Sequence, residues 1–178
     1  DQMQNQLSSG HRIGRPSDDP AGIQNAMRLK SNISSVEQWK KNTDEALSYM
    51  TTTDSTLGDM TSMLQRVREL TVQGANGTLA TVDKGAIADE VDQISSQLQM
   101  MANTQIGSKY IFSGTATDKP LIIAPNGAVS GGNTQEVTFE VGNNMSLPIS
   151  VNGQALFGNT TNIPSGVITT LSALSADL

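Results

Sequence analysis

Between Pro20 and Pro120 the chain contains no proline. A proline inside a helix removes a backbone hydrogen bond and clashes with the preceding turn, so an interval this long without one leaves room for very long helices. An apolar seam runs through its first half at spacings that alternate between three and four: Val36, Trp39, Thr43, Ala46, Met50, Thr53, Leu57, Met60, Leu64, Val67, then Leu70 or Thr71. Such spacing keeps one helix face apolar over many turns and marks a bundle or coiled-coil edge. The helix is predicted to start at Ser17-Asp18-Asp19-Pro20. There the Asp19 carboxylate is the N-cap, and Pro20 sits where its missing N–H costs nothing. Gly74 and Gly77 supply the stop. From Pro20 to Gly74 the rise of 1.5 Å per residue gives a rod of about 80 Å.

A second helix is expected after the turn Gly74-Ala75-Asn76-Gly77, with a seam of Ile87, Val91, Ile94, Leu98, Met101 and Gln105 and an end at Gly107. The last residues open a third stripe, Val167, Ile168, Leu171, Leu174 and Leu178, read as the first turns of a returning helix. Beyond Lys119 no basic residue occurs, and Gly and Pro recur. Val137–Val141 and Leu147–Val151 alternate as strands do, Tyr110-Ile111-Phe112 and Leu121-Ile122-Ile123 are short apolar runs, and Pro148 fits only an edge. Gly131-Gly132-Asn133 and Gly142-Asn143-Asn144 are the expected turns. The predicted fold class is α+β: an elongated bundle of long antiparallel helices with a small antiparallel β region of about four strands inserted before the last helix. A chain that opens on Asp1 rather than Met is expected to be a piece of a longer one.

Chemistry is sparse. Cysteine is absent, which removes disulfides, thiolate nucleophiles and cysteine-held metals. The lone His11 has no partner ligand. Asp83, Asp89, Glu90 and Asp92 lack the spacing of a calcium loop and read as the solvated face of the second helix. No hydrolase, metalloprotease or nucleotide-binding motif occurs, so no enzyme, catalytic residue, cofactor or metal is expected. A net charge of −6 repels phosphate backbones and anionic lipid, and no apolar run is long enough for a membrane span. Aromatics make up 3% of the chain and methionines number eight. Met50, Met60, Met63, Met100 and Met101 are read as core filling. The signal left over is the strip Leu64-Gln65-Arg66-Val67-Arg68-Glu69-Leu70, extended by Gln73. Its charged positions fit a solvated face and a subunit contact equally well, and Arg66, Arg68, Glu69, Leu70 and Gln73 are the candidate contact residues.

Leu7-Ser8-Ser9-Gly10-His11-Arg12-Ile13, then Asp18-Asp19-Pro20-Ala21-Gly22, resemble the N-terminal signature of bacterial flagellins and their hook-associated relatives. Leu64–Leu70 followed by Thr71-Val72-Gln73-Gly74-Ala75-Asn76-Gly77 is similar to the end of the first long helix in that superfamily. Asn103-Thr104-Gln105, with Gly107-Ser108-Lys109-Tyr110-Ile111-Phe112-Ser113-Gly114-Thr115, is most similar to the hook-associated protein 3 branch, the hook–filament junction proteins. The resemblance spans about residues 7 to 115. It implies a structural subunit in a ring of its own copies between hook-associated protein 1 and flagellin. Such a subunit meets an export chaperone, leaves the cell without a cleaved signal peptide, and binds neither nucleic acid nor membrane. It also implies an organisation: a linker over 1–19, remnant of a terminal coiled-coil segment; a helical rod over 20–115; a β-rich outer domain over 116–166; and the returning helix of the rod over 167–178. The alternatives are a filament flagellin, or a surface binding module whose β region or Arg66–Leu70 strip is recognised by a host partner.

Overall fold

A computed structural model describes residues 20–75, 80–122, 129–158 and 166–177. Helix α1, Pro20–Gly74, is a single element of 55 residues. It begins at the proline and ends at the glycine that the sequence signals. Asp19, Asp18 and His11 lie outside the described residues. Helix α2, Thr81–Ala102, follows, and then a minimal hairpin of β1, Gln105–Ile106, and β2, Lys109–Tyr110. A second antiparallel hairpin pairs β3, Thr138–Gly142, with β4, Met145–Pro148. The five-residue helix α3, Gly153–Phe157, and helix α4, Val167–Asp177, complete the described order.

The seam of α1 follows the expected rhythm in a different register. Its buried line is Ala46, Tyr49, Thr53, Thr56, Met60, Val67 and Leu70, with Met63 half-buried between Met60 and Val67. These positions again alternate by three and four. Ala46, Thr53, Met60, Val67 and Leu70 are shared with the sequence reading, but Tyr49, Thr56 and Met63 lie one residue before the expected Met50, Leu57 and Leu64. Met50 and Leu64 remain 53% and 37% exposed, and Val36 is 56% exposed. The apolar surface of α1 is wider than one seam, because Leu47, Met50 and Leu64 lie beside the core line. The packing of α2 and the β hairpins selects which edge is covered. Tyr49 decides part of that choice: its hydroxyl donates to the carbonyl of Ile111, which draws this edge inward. Thr53 and Thr56 enter the core because their hydroxyls donate to the carbonyls of Tyr49 and Thr52 at 2.8 Å, leaving the methyl groups to pack. Of the methionines read as core filling, Met60 is buried and Met63 and Met101 pack against the core. Met50 and Met100 are exposed.

Helix α2 buries Ile87, Val91, Ile94, Ser95, Leu98 and Ala102. It ends at Ala102, five residues before Gly107. Asn103 explains the early stop. Its side-chain amide donates to the carbonyl of Ile122 at 2.8 Å, and its Oδ1 accepts from the Ile122 N–H at 3.0 Å. One side chain thus acts as a short strand against residues 121–122. The chain then turns at Gly107, whose positive φ of 62° closes β1 against β2. The strands form two separate pairs instead of one cap, and they are not the expected four. Gln105–Ile106, read as the end of the second helix, is a strand, and Leu121-Ile122 contributes only an isolated bridge from Ile122 to Val129. Tyr110 ends its strand, so Ile111 and Phe112 enter the core as irregular chain, fully buried. Asn144, at φ 57°, makes the β3–β4 turn, and Pro148 ends β4 at an edge.

Helix α4 packs mainly on α2, where Ile168 and Leu171 are buried and Ser175 reaches the carbonyl of Ala88. Around its start the chain is packed backbone to backbone. A Cβ on Gly131 would stand 1.8 Å from the carbonyl oxygen of Pro120, and one on Gly166 equally close to that of Phe157. The rings of Phe112 and Phe157 meet edge to face at 5.7 Å. Among the described residues no buried side-chain polar atom lacks a partner, and no helix is long and apolar enough to cross a membrane.

Two outcomes are expected. In urea denaturation, Leu70→Ala should cost about 2–5 kcal/mol, the range for emptying a fully buried leucine site, whereas Leu64→Ala should cost well under half as much. Burial pushes the Tyr49 phenol above its ordinary value. The folded state thus favours the neutral phenol, and its contribution is complete below a pH of about 10 and lost as the pH rises through the folded value. Thermal melts should show stability falling above that pH, with a shallower fall in Tyr49→Phe.

Candidate functional site

The candidate strip lies on the last turns of α1, beside the first turns of α2. Antiparallel packing brings Arg66 to Glu90: its Nε donates to Glu90 Oε1 at 2.8 Å, and Nη1 meets Glu69 Oε2 at 3.3 Å. Glu69 is one helical turn on, so the guanidinium bridges a partner on its own helix and one on the neighbour. Hydrogen bonds to Glu90 and Glu69 raise the Arg66 pKa above its ordinary value. Arg66 and Glu69 are about half and two-thirds exposed as side chains, so the bridge is wet and contributes more to surface shape than to folding.

Below the bridge, Arg66, Leu70, Gln73, Asp83, Ile87 and Glu90 line an open groove of about 290 Å³, with Ala86 completing it. The candidate residues therefore separate. Arg66 and Gln73 face the groove, and Glu69 braces Arg66. Leu70 is 1% exposed, so it forms the floor and holds the two helices together. Arg68 is exposed and lies off the groove. Glu90 and Asp83 were absent from the candidate set, since only the folded pair shows that they face Arg66 and Gln73. The opposite charge of Glu90, midway along a helix expected to run antiparallel, was the one signal that pointed there. Asp83, Asp89 and Asp92 lie on the exposed face of α2, as expected. Among the described residues no cluster of histidine, cysteine or carboxylate side chains could hold a metal ion.

A second cleft, of about 350 Å³, lies between α1, the β1–β2 turn and β3, and is lined by Tyr49, Ile106 and Phe139 with Glu45 and Lys109 at its edge. Asn42 on α1 donates to the Glu140 carbonyl at 2.7 Å and so fastens β3 to the helix near this cleft. Both concavities are open, and no hydrogen bond joins the Ser48 or Ser108 hydroxyl of the second cleft to Glu45 or Lys109.

A family model, the bacterial flagellin N-terminal helical region, matches residues 1–117. The chain is 30% identical, over 176 residues, to the flagellar filament 41 kDa core protein of Borreliella burgdorferi, which covers 92% of this chain and 52% of that protein. It spans about half the length of the curated relatives it matches, or less. Among solved structures, a putative flagellar hook-associated protein from Vibrio parahaemolyticus superposes with a TM-score of 0.79 at 22% identity, covering 92% of this chain and 73% of that one. FlgL of Bacillus cereus gives a TM-score of 0.68 at 27% identity, covering 86% and 72%.

Replacing Arg66 by alanine should leave the far-ultraviolet circular dichroism spectrum intact and lower the melting temperature by no more than about 3 °C, with the difference shrinking in high salt. A loss of cooperative melting would instead make the bridge part of the fold's support.

Proposed function

Because this chain belongs to the bacterial flagellin family, as a component of the flagellum, we propose that it is a structural subunit of the junction ring between hook and filament. Copies of the chain form the ring, with hook-associated protein 1 on one side and flagellin on the other. It reaches that place outside the cell through the flagellar export apparatus, escorted by a chaperone and without a cleaved signal peptide. The rod over 20–115 carries the load, the region over 116–166 faces outward, and 167–178 returns to the rod. Arg66, Arg68, Glu69 and Gln73 are contact residues, with Leu70 shaping the surface from beneath.

The observation that carries this reading is the segment from Asn103 to Thr115. It combines the hook-associated signature with a structural role, since Asn103 clamps Ile122, Gly107 turns the hairpin, and Ile111 and Phe112 plug the core. The likeness in fold to the hook-associated protein of Vibrio parahaemolyticus supports it over nearly the whole chain. Mechanically, a helix of 55 residues is stiff along one axis. The polar outer surface can form many modest contacts, each about 0.5–1.5 kcal/mol net, which multiply around a ring.

The Borreliella burgdorferi relative favours a second reading, a filament subunit. The two differ in copy number and in the consequence of loss. Deleting the gene should leave hooks assembled while filaments detach and flagellin collects in the medium, seen by electron microscopy and by blotting the culture supernatant. Filaments that stay attached would reject the junction reading. A protein that dominates sheared filaments by mass would establish the filament reading.

A further inference from the structure

Helix α1 is one unbroken element, but its residues are not equally suited to a helix. Residues 51–62, near its middle, hold five threonines, two serines, two aspartates and one glycine, which leaves Leu57 and Met60 as the strong helix formers there. Threonine loses side-chain freedom against the preceding turn, serine and aspartate offer the backbone other partners, and glycine gives up the most backbone freedom. The flanks differ. Glu45-Ala46-Leu47 stands before the segment, and Met63-Leu64-Gln65-Arg66 and Arg68-Glu69-Leu70 stand after it, all of them good helix formers.

The hydrogen bonds single out the same stretch. The hydroxyls of Thr51, Thr52, Thr53, Thr56, Thr61 and Ser62 each donate to the carbonyl four residues earlier, at 2.8–3.1 Å. That carbonyl is also the helical acceptor for the N–H of the same residue, so two donors share one oxygen. Bonds of this kind slightly weaken a helix and often bend it. In the rest of α1 the described residues show three, from Ser35, Thr43 and Thr71, each far from the next.

Packing does not compensate. Between Tyr49 and Met60 the buried positions of α1 are Thr53 and Thr56, so about three turns of the seam lack a fully buried large apolar side chain. The ion pairs of α1 among the described residues are those of Arg66, outside the segment. Anchors stand on both sides instead: Tyr49, bonded to the Ile111 carbonyl, and the buried Val67 and Leu70.

We propose that residues 51–62 are a compliant joint in the rod. The helix bends and opens locally there, while the flanks anchored by Tyr49 and by Val67 and Leu70 stay helical and packed. Weak propensity, shared carbonyls and a thin seam act on the same residues. The two halves of the helix can then change their mutual angle without disturbing the buried line around Leu70. This inference stands on α1 alone and goes beyond the place of the subunit in the flagellum.

Hydrogen–deuterium exchange of the protein, read by mass spectrometry, tests it. Peptides within 51–62 should exchange roughly tenfold faster or more than those covering 43–50 and 63–73, a minimum of protection between two protected flanks. Thr51, Gly58 and Thr61 are exposed, and among the described residues a Cβ on Gly58 would meet no neighbouring atom within 4 Å. The triple variant Thr51→Ala, Gly58→Ala, Thr61→Ala should slow exchange in the segment by roughly tenfold or more, because alanine holds a helix better. Gly58→Ala alone should act in the same direction, should the triple variant disturb folding, which circular dichroism reports. Gly85→Ala in α2, equally unobstructed, is the control and should leave exchange in the segment unchanged. A profile without that minimum would overturn the proposal. So would a Gly85→Ala effect on the segment as large as that of the triple variant, since the segment would then open only by global unfolding. The deletion phenotype reads the junction role separately, so either reading can fail while the other stands.

Discussion

The interdigitated line between the distal half of α1 and helix α2 is the contact on which the rest of the molecule depends. Val91 and Ala102 are completely buried, and Leu70 and Leu98 nearly so. Burying Val91, Leu70 and Leu98 contributes about 1.5–3 kcal/mol each, more than an exposed ion pair supplies. The same line places α2 antiparallel to α1, and that arrangement brings Glu90 to Arg66 and opens the groove beside them. Every surface feature at this end is therefore secondary to an apolar register.

That register tolerates little polarity without compensation, and the chain meets the requirement locally. Thr53 and Thr56 lie in the seam with their hydroxyls returned to their own helix. Tyr49 is buried because it finds a carbonyl across the core. At the opposite end of α2 the fold relies on close backbone approach instead of side-chain bulk. Gly131, Gly153 and Gly166 each occupy places where a Cβ would collide with a neighbouring backbone. With so few aromatic residues, Phe112 and Phe157 together seal that junction. An elongated protein with a narrow core gains much of its definition there, where two helices, two hairpins and a loop meet.

The two ends of α1 differ in charge: residues 20–41 carry four basic residues and one acidic one, whereas the stretch from residue 42 to the end of α2 carries nine acidic residues and three basic ones.

Much was legible beforehand because helix length, start and stop depend on neighbours in the chain. Proline at Pro20, glycine at Gly74 and the alternating apolar spacing specify α1 by local rules, and Val167 to Asp177 was visible as a helix for the same reason. The motifs from Asn103 to Thr115 also pointed to the family before any fold was known. What local rules could not decide was the choice between two adjacent edges of one broad apolar surface. Met50 and Leu64 are as apolar as Tyr49 and Met63, and only packing against α2 and the hairpins determines which pair goes inside. The end of α2 at Ala102 and the pairing of Arg66 with Glu90 were likewise settled by residues far away in sequence, Ile122 in one case and a facing helix in the other. Periodicity along a chain dictates which faces can be buried; only tertiary contact selects the face that is.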